Sequence, residues 1–189
     1  LIHALDQAGR KDEIVSLCEA EAKKTASYER LVNFLVSARR YEEAEHWIRE
    51  GIQATKDKWP GIASGLRNAL RGIRTHQKNW PAVAAIQAER FVRQPSRQKF
   101  TECKKVAAKV KVWPKVRESL LQYLENGELP WKQKGWPLPD SGLDRPGTER
   151  KDRFPMVSNL IDIALLEKTP ERVLYWYDRL PKQRYGGYG

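Results

Sequence analysis

From Tyr28 to Thr55 the chain reads YERLVNFLVSARRYEEAEHWIREGIQAT. Apolar or small residues fall at Leu31, Leu35, Ala44, Ile48 and Gly51, offsets of 3, 7, 16, 20 and 23 from Tyr28. This spacing predicts two short amphipathic helices packed antiparallel across Ala38, Arg39, Arg40 and Tyr41, with those positions on one shared face. Ala44 is small where the pair is expected to approach most closely. Such a hairpin cannot bury its apolar face alone and needs neighbours of its own kind.

The same offsets recur. Started at Phe100 they meet Cys103, Ala107, Val116, Leu120 and Tyr123, and started at Val157 they meet Leu160, Ala164, Val173, Tyr177 and Leu180. The first residues fit a unit cut in its first helix, with Leu1, Leu5, Ile14, Cys18 and Glu21. A further copy from Leu66 meets Ala69, Ile73, Ala82, Ile86 and Glu89 in a register that a shift of one residue breaks. The starts at 28, 66, 100 and 157 are unevenly spaced. The expected fold is all-α, an α-solenoid of stacked helical hairpins forming a single array over residues 1–189. Its parts are a truncated first unit (1–26), repeat units at 28–55, 60–94 and 97–126, an insertion at 127–154, a last hairpin at 155–181 and a tail at 182–189.

Tyr28, Leu31, Leu35, Ala44 and Ile48 resemble the tetratricopeptide pattern, a helical-hairpin repeat of ~34 residues. The chain departs from that pattern with Val32 where glycine is usual, Gly51 where alanine is usual, and no closing proline. The stretch GWPLPDSGL (135–143), followed by FPMVSNLIDIALLEKTPERVLYWYDRL (154–180), resembles the helical region of bacterial SWIM zinc-finger proteins. The finger itself needs Cys-x-Cys and Cys-x-His. Only Cys18 and Cys103 are present, so the resemblance implies a piece from beside the finger, without its zinc.

Trp-Pro pairs punctuate the chain at 59–60, 80–81, 113–114 and 136–137. Proline suits the first turn of a helix, where its missing N–H would be unpaired anyway, and the first three pairs precede periodic stretches, so they read as helix starts. Trp131 and Trp136 are the candidates for exposed binding platforms. They lie in 127–154, where prolines at 130, 137, 139 and 146 and glycines at 127, 135, 142 and 147 exclude a long helix. A connection this long is either functional or disordered. The tail Tyr185–Gly189 reads as a linker. The one methionine, Met156, makes the chain read as an excised fragment.

Catalytic constellations are missing from the sequence. His3, His46 and His76 are isolated, no phosphate-binding loop is present, and Glu42, Glu43 and Glu45 sit where a helix begins, a favourable place for acidic residues. Cys18 and Cys103 occupy apolar slots and read as small buried hydrophobes. No enzyme activity, cofactor or metal is expected. No apolar run reaches the ~20 residues of a transmembrane helix, so no membrane partner is expected, and the setting is taken as cytoplasmic.

Charge changes the picture once it is divided. Residues 1–55 carry eight Lys/Arg against ten Asp/Glu, residues 56–126 sixteen against five, and residues 127–189 eleven against nine. The formal excess of +11 is therefore a central block, which points to an anionic partner. Arg67, Arg71, Arg74 and Lys78 form a stripe at steps of four, three and four. The tetratricopeptide resemblance implies a groove lined by Glu29, Asn33, Val36, Arg67, Arg71, Arg74, Thr101, Lys105 and Ala108. From these come the candidate partner-binding residues Asn33, Arg67, Arg71, Arg74, Lys78 and Lys105; a plain solvated face is the alternative. The expected function is a non-catalytic protein–protein interaction scaffold holding an acidic peptide or partner in a basic groove. A nucleic-acid-contacting module beside a zinc finger is the competing reading.

Overall fold

The structure, a computed structural model, describes residues 10–147 and 153–180. The expected first-helix residues Leu1 and Leu5, His3 and the tail from Tyr185 lie outside the described residues. Among the described residues every regular element is helical: α1 (Lys11–Thr25), α2 (Tyr28–Ser37), α3 (Tyr41–Thr55), α4 (Pro60–His76), α5 (Trp80–Arg93), α6 (Arg97–Lys109), α7 (Trp113–Asn126), α8 (Val157–Leu166) and α9 (Pro170–Tyr177), with a 3-10 turn at Pro130–Lys132. Three of the four Trp-Pro pairs open helices, at α4, α5 and α7. The fourth lies in the irregular stretch 133–147.

The chain forms two compact units, Leu1–Asn79 and Trp80–Gly189. Their division falls inside the 60–94 repeat and inside the basic block.

One turn recurs four times. After α2, α4, α6 and α8 a basic residue takes the left-handed backbone conformation: Arg39, Lys78, Lys111 and Lys168, with φ between 54 and 59°. In each turn the next residue's N–H reaches back to a helix carbonyl, Arg40 to Leu35, Asn79 to Arg74, Val112 to Ala107 and Thr169 to Ala164. These are Schellman closures, which satisfy carbonyls left over at a helix end. A positive side chain there also suits the helix dipole. The turns fall eleven residues after Tyr28, Phe100 and Val157 but twelve after Leu66. Aligned by its turn, the 60–94 unit begins at Arg67.

In the first unit α2 packs against α1, α3 and α4, and α3 packs against α4. Ile14, Cys18, Leu31, Leu35, Ala44 and Ile48 are buried as their slots require. A close approach lies at Gly51: a Cβ there would sit 2.6 Å from Leu66 Cδ1 and 2.8 Å from the Tyr28 ring. Glycine lets α3 pass over both neighbours.

In the second unit α5 is lined with small residues, Ala82, Ala84, Ala85 and Ala88, and packs most extensively against α6. Phe100, Cys103, Ala107, Val116, Leu120 and Tyr123 are buried, matching the offsets from Phe100. In the last hairpin Leu160 and Ala164 are buried, but Tyr177 is 64% exposed and Trp176 takes the inward position. The expected slot is thus displaced by one residue. The short α9 ends at Tyr177, and the larger Trp176 ring fills the core beside Leu160 and Ile163.

The described part of 127–154 is a packed strap without a long helix. Leu129, Leu138 and Leu143 are buried, and Trp131 and Trp136 pack half-buried against the core. Gln133 Nε2 donates to the Ser119 and Glu128 carbonyls at 3.1 and 3.0 Å. Pro/Gly content excluded helix but did not exclude order, because side-chain anchors replace the missing backbone ladder.

Candidate cationic face

The predicted arginine stripe lies on α4, and the turn register explains its position. Aligned on the turns, Arg67 occupies the slot of Tyr28, Phe100 and Val157, and Arg74 that of Leu35, Ala107 and Ala164. Arg67 is accordingly only 9% exposed. Arg74 turns to α3, where its Nη1 and Nη2 donate to Glu45 Oε1 and Oε2 at 2.6 and 2.8 Å, and Nη1 also reaches Gln77. This bidentate pair is mostly shielded from water, so it holds the fold and leaves little of Arg74 for a ligand. The residue that α4 presents to Glu29 is Gly65, where any side chain would meet the carboxylate. Arg71 is half-buried, Lys78 is exposed in the turn, and the exposed Asn33 side chain makes no hydrogen bond among the described residues. Lys105 is exposed on α6, in the other unit. The six predicted residues are therefore divided between the units, with Arg67 and Arg74 in structural positions.

A second basic surface emerges on α6. Arg97, Lys104, Lys105 and Lys109, with Lys111 in the turn that follows, are all exposed. Turns of the helix at Arg97, Thr101, Lys104 and Ala108 lie one above another, with Lys105 and Lys109 beside them. Arg97, Lys104, Lys105 and Lys111 make no ion pair among the described residues. The one acid on α6, Glu102, is held by Arg90 at 2.9 Å and by Gln98 at 3.0 Å. Lys109 Nζ lies 3.8 Å over the Trp80 ring. Of this row the sequence pointed to Lys105 as a partner-binding residue and to Lys104 only as a phosphate contact in the nucleic-acid reading. The signal that would have found the rest is the stretch RQKFTECKK (97–105) extended to Lys109 and Lys111, with one acid among its cations.

A clasp shapes the same unit. Glu89, 4% exposed, accepts from Ser141 Oγ at 2.7 Å and from Arg145 Nε at 3.1 Å, while Arg93 Nη2 donates to the Asp144 carbonyl. Burial pushes the Glu89 carboxyl up, with the Ser141 and Arg145 hydrogen bonds pulling against it. Glu89 fell in an apolar slot only in the register from Leu66; buried here, it finds its polar partners on the strap.

Burial raises the Cys18 thiol and pushes that of Cys103 up to about 12, so both stay protonated at neutral pH. Among the described residues no cluster of His, Cys, Asp or Glu is arranged to hold a metal, and no helix is long and apolar enough to cross a membrane. No protein-family model, curated protein or solved structure matches the chain.

Proposed function

We propose that this protein is a non-catalytic helical interaction module that takes an acidic protein or peptide on the cationic face of α6. The observation that carries the reading is the row Arg97, Lys104, Lys105 and Lys111, exposed and without carboxylate partners among the described residues, where most other arginines are paired. Like charges held together raise the local potential and speed the arrival of an anionic partner. An acidic polypeptide is favoured over nucleic acid because the aromatics nearby are already engaged. Lys109 covers Trp80, and Trp113 packs edge-on against Phe100 at 5.0 Å, so neither ring offers a base a free stacking surface.

In the same proposal the hairpins stack as a tetratricopeptide-like array, and the chain works in the cytoplasm as the helical neighbour of a SWIM-type finger. Support for the array comes from the four recurring turns and the common apolar slots. The test is titration of labelled acidic peptides and oligonucleotides against the wild type and the Lys104→Glu/Lys105→Glu variant across salt. Peptide capture that the double reversal abolishes, with circular dichroism unchanged, is the expected result. Oligonucleotide binding with a log–log salt slope near −0.7 to −0.9 per phosphate contact, and no peptide binding, would transfer the face to nucleic acid.

A further inference from the structure

We infer that the partner of the α6 face is itself an α-helix, with acidic residues along both edges of a narrow seam of small apolar ones; this rests on the proposal that α6 takes an acidic polypeptide and gives that polypeptide its form. The cations of α6 are not scattered over its exposed side. At about 100° per residue, Arg97 and Lys104, seven residues apart, stand on one flank, and Lys105 and Lys109, one turn apart, on the other. Thr101 and Ala108, again seven apart, run between the flanks. The Thr101 hydroxyl donates to the Arg97 carbonyl at 3.0 Å, so it is spent within its own helix, and the Ala108 methyl is exposed. The face is therefore a strip of small residues between two rows of positive charge, with about 10 Å between one seven-residue step and the next.

An extended acidic chain would meet the cations without using the strip, whereas a helix uses both. Small residues let two helix axes approach to about 8 Å, and a seven-residue repeat is the spacing at which two helices keep one face toward each other. At that separation the side chains on both edges of the partner reach across to the flanks, as edge residues do in a coiled coil. Glutamates there meet Arg97 and Lys104 on one side and Lys105 and Lys109 on the other. None of these four makes an ion pair among the described residues, and Glu102, the one acid of the helix, is held by Arg90 at 2.9 Å. Lys109 rests on the Trp80 ring, which fixes where its charge sits before a partner arrives. Lys111, exposed just past the end of α6, extends the positive face by one more step.

The full chain is titrated at one salt concentration with three labelled peptides, each three heptads long. The first has alanines along a seam and glutamates on both edges, which also keeps it from pairing with itself. The second has the same residues shuffled so that its glutamates surround the helix. The third is the first with a proline at its centre, which stops the helix. The patterned peptide should bind at least about 10-fold more tightly than either of the others, because it meets both flanks at once and has less to order. Its circular-dichroism signal at 222 nm should deepen on binding. Ala108→Trp fills the strip at an exposed position and should weaken the patterned peptide by about 10-fold or more, with the shuffled peptide unchanged and the spectrum of the free protein intact. Ala108→Gln, which adds bulk with a good helix former, should act in the same direction. Three peptides bound equally and all lost in Lys104→Glu/Lys105→Glu would overturn the helical partner and leave the cationic face standing. Wild-type affinity for the patterned peptide in both Ala108 variants would do the same. If none of the three binds, the cationic-face reading fails and this inference with it.

Discussion

The arginine stripe of α4 and the cationic row of α6 have the same formal charge and opposite fates. On α4, Arg74 is clamped by Glu45 and Arg67 is buried in a slot that other hairpins fill with an aromatic or aliphatic residue. On α6 and the turn after it, four exposed cations have no carboxylate partner among the described residues, and Glu102 is tied elsewhere. Net charge counted along a sequence treats the two alike. A partner does not, because a guanidinium already bidentate to a shielded carboxylate must break that pair before it can make another. The bare face is weak as structure and strong as an attractor; the neutralised stripe is the reverse.

Charge reversal on the two helices should separate these roles. Lys104→Glu/Lys105→Glu should lower acidic-peptide affinity by about two orders of magnitude, the scale of lost and inverted charge contacts, while thermal stability moves by no more than about 0.5 kcal/mol, as at other exposed sites. Equal peptide affinity in the variant and the wild type would remove the functional half of the comparison. Arg74→Glu should do the opposite. It sets a second carboxylate against Glu45, and with side-chain exposures of 18% and 14% the pair is little screened. The loss should be about 2 kcal/mol, below the full cost of breaking a completely buried pair, measured by urea denaturation. A stable Arg74→Glu protein that fails to bind peptide would show that the sequence-predicted stripe is the site after all.

Packing offers a test of the first unit of the same two-sided kind. Gly51→Ala should destabilise by about 1–2 kcal/mol, because the new methyl meets Leu66 and Tyr28. Gly72→Ala, with open space at its Cβ, should stabilise by about 0.5–1 kcal/mol through helix propensity. If both substitutions shift the melting temperature in the same direction, the close passage of α3 is wrong.

The smallest effects belong to the turns. Lys78→Gly and Lys111→Gly relieve a left-handed conformation that costs a non-glycine residue about 1 kcal/mol. Each should raise stability by about 0.5 kcal/mol, since glycine also increases the entropy of the unfolded chain. Lys78→Gly should leave peptide binding intact, and Lys111→Gly should reduce it modestly by removing one cation of the α6 row. Matching losses of binding in both would mean that the two basic regions act together.

What the sequence by itself determined is local. The hairpin slots at Leu31, Leu35, Ala44 and Ile48, and their counterparts from Cys103 to Tyr123, were legible because helical periodicity is a property of neighbouring residues. The Trp-Pro helix starts were legible for the same reason. The candidate site was legible only as a central block of charge, with Lys105, and Lys104 for the nucleic-acid alternative, the residues named on the exposed α6 row. The rest depends on atoms far apart in the chain. Arg74 became structural because Glu45, twenty-nine residues earlier, reaches it, and the strap is pinned at Ser141 and Gln133 because Glu89 and the Ser119 carbonyl wait beneath it. Gly51 marks a close helix passage because Leu66 and Tyr28 converge there. A charge pattern states how many cations a helix carries. Only the tertiary structure decides which of them have spent their charge on a partner within the fold, because neutralisation depends on distance in space and not on distance along the chain.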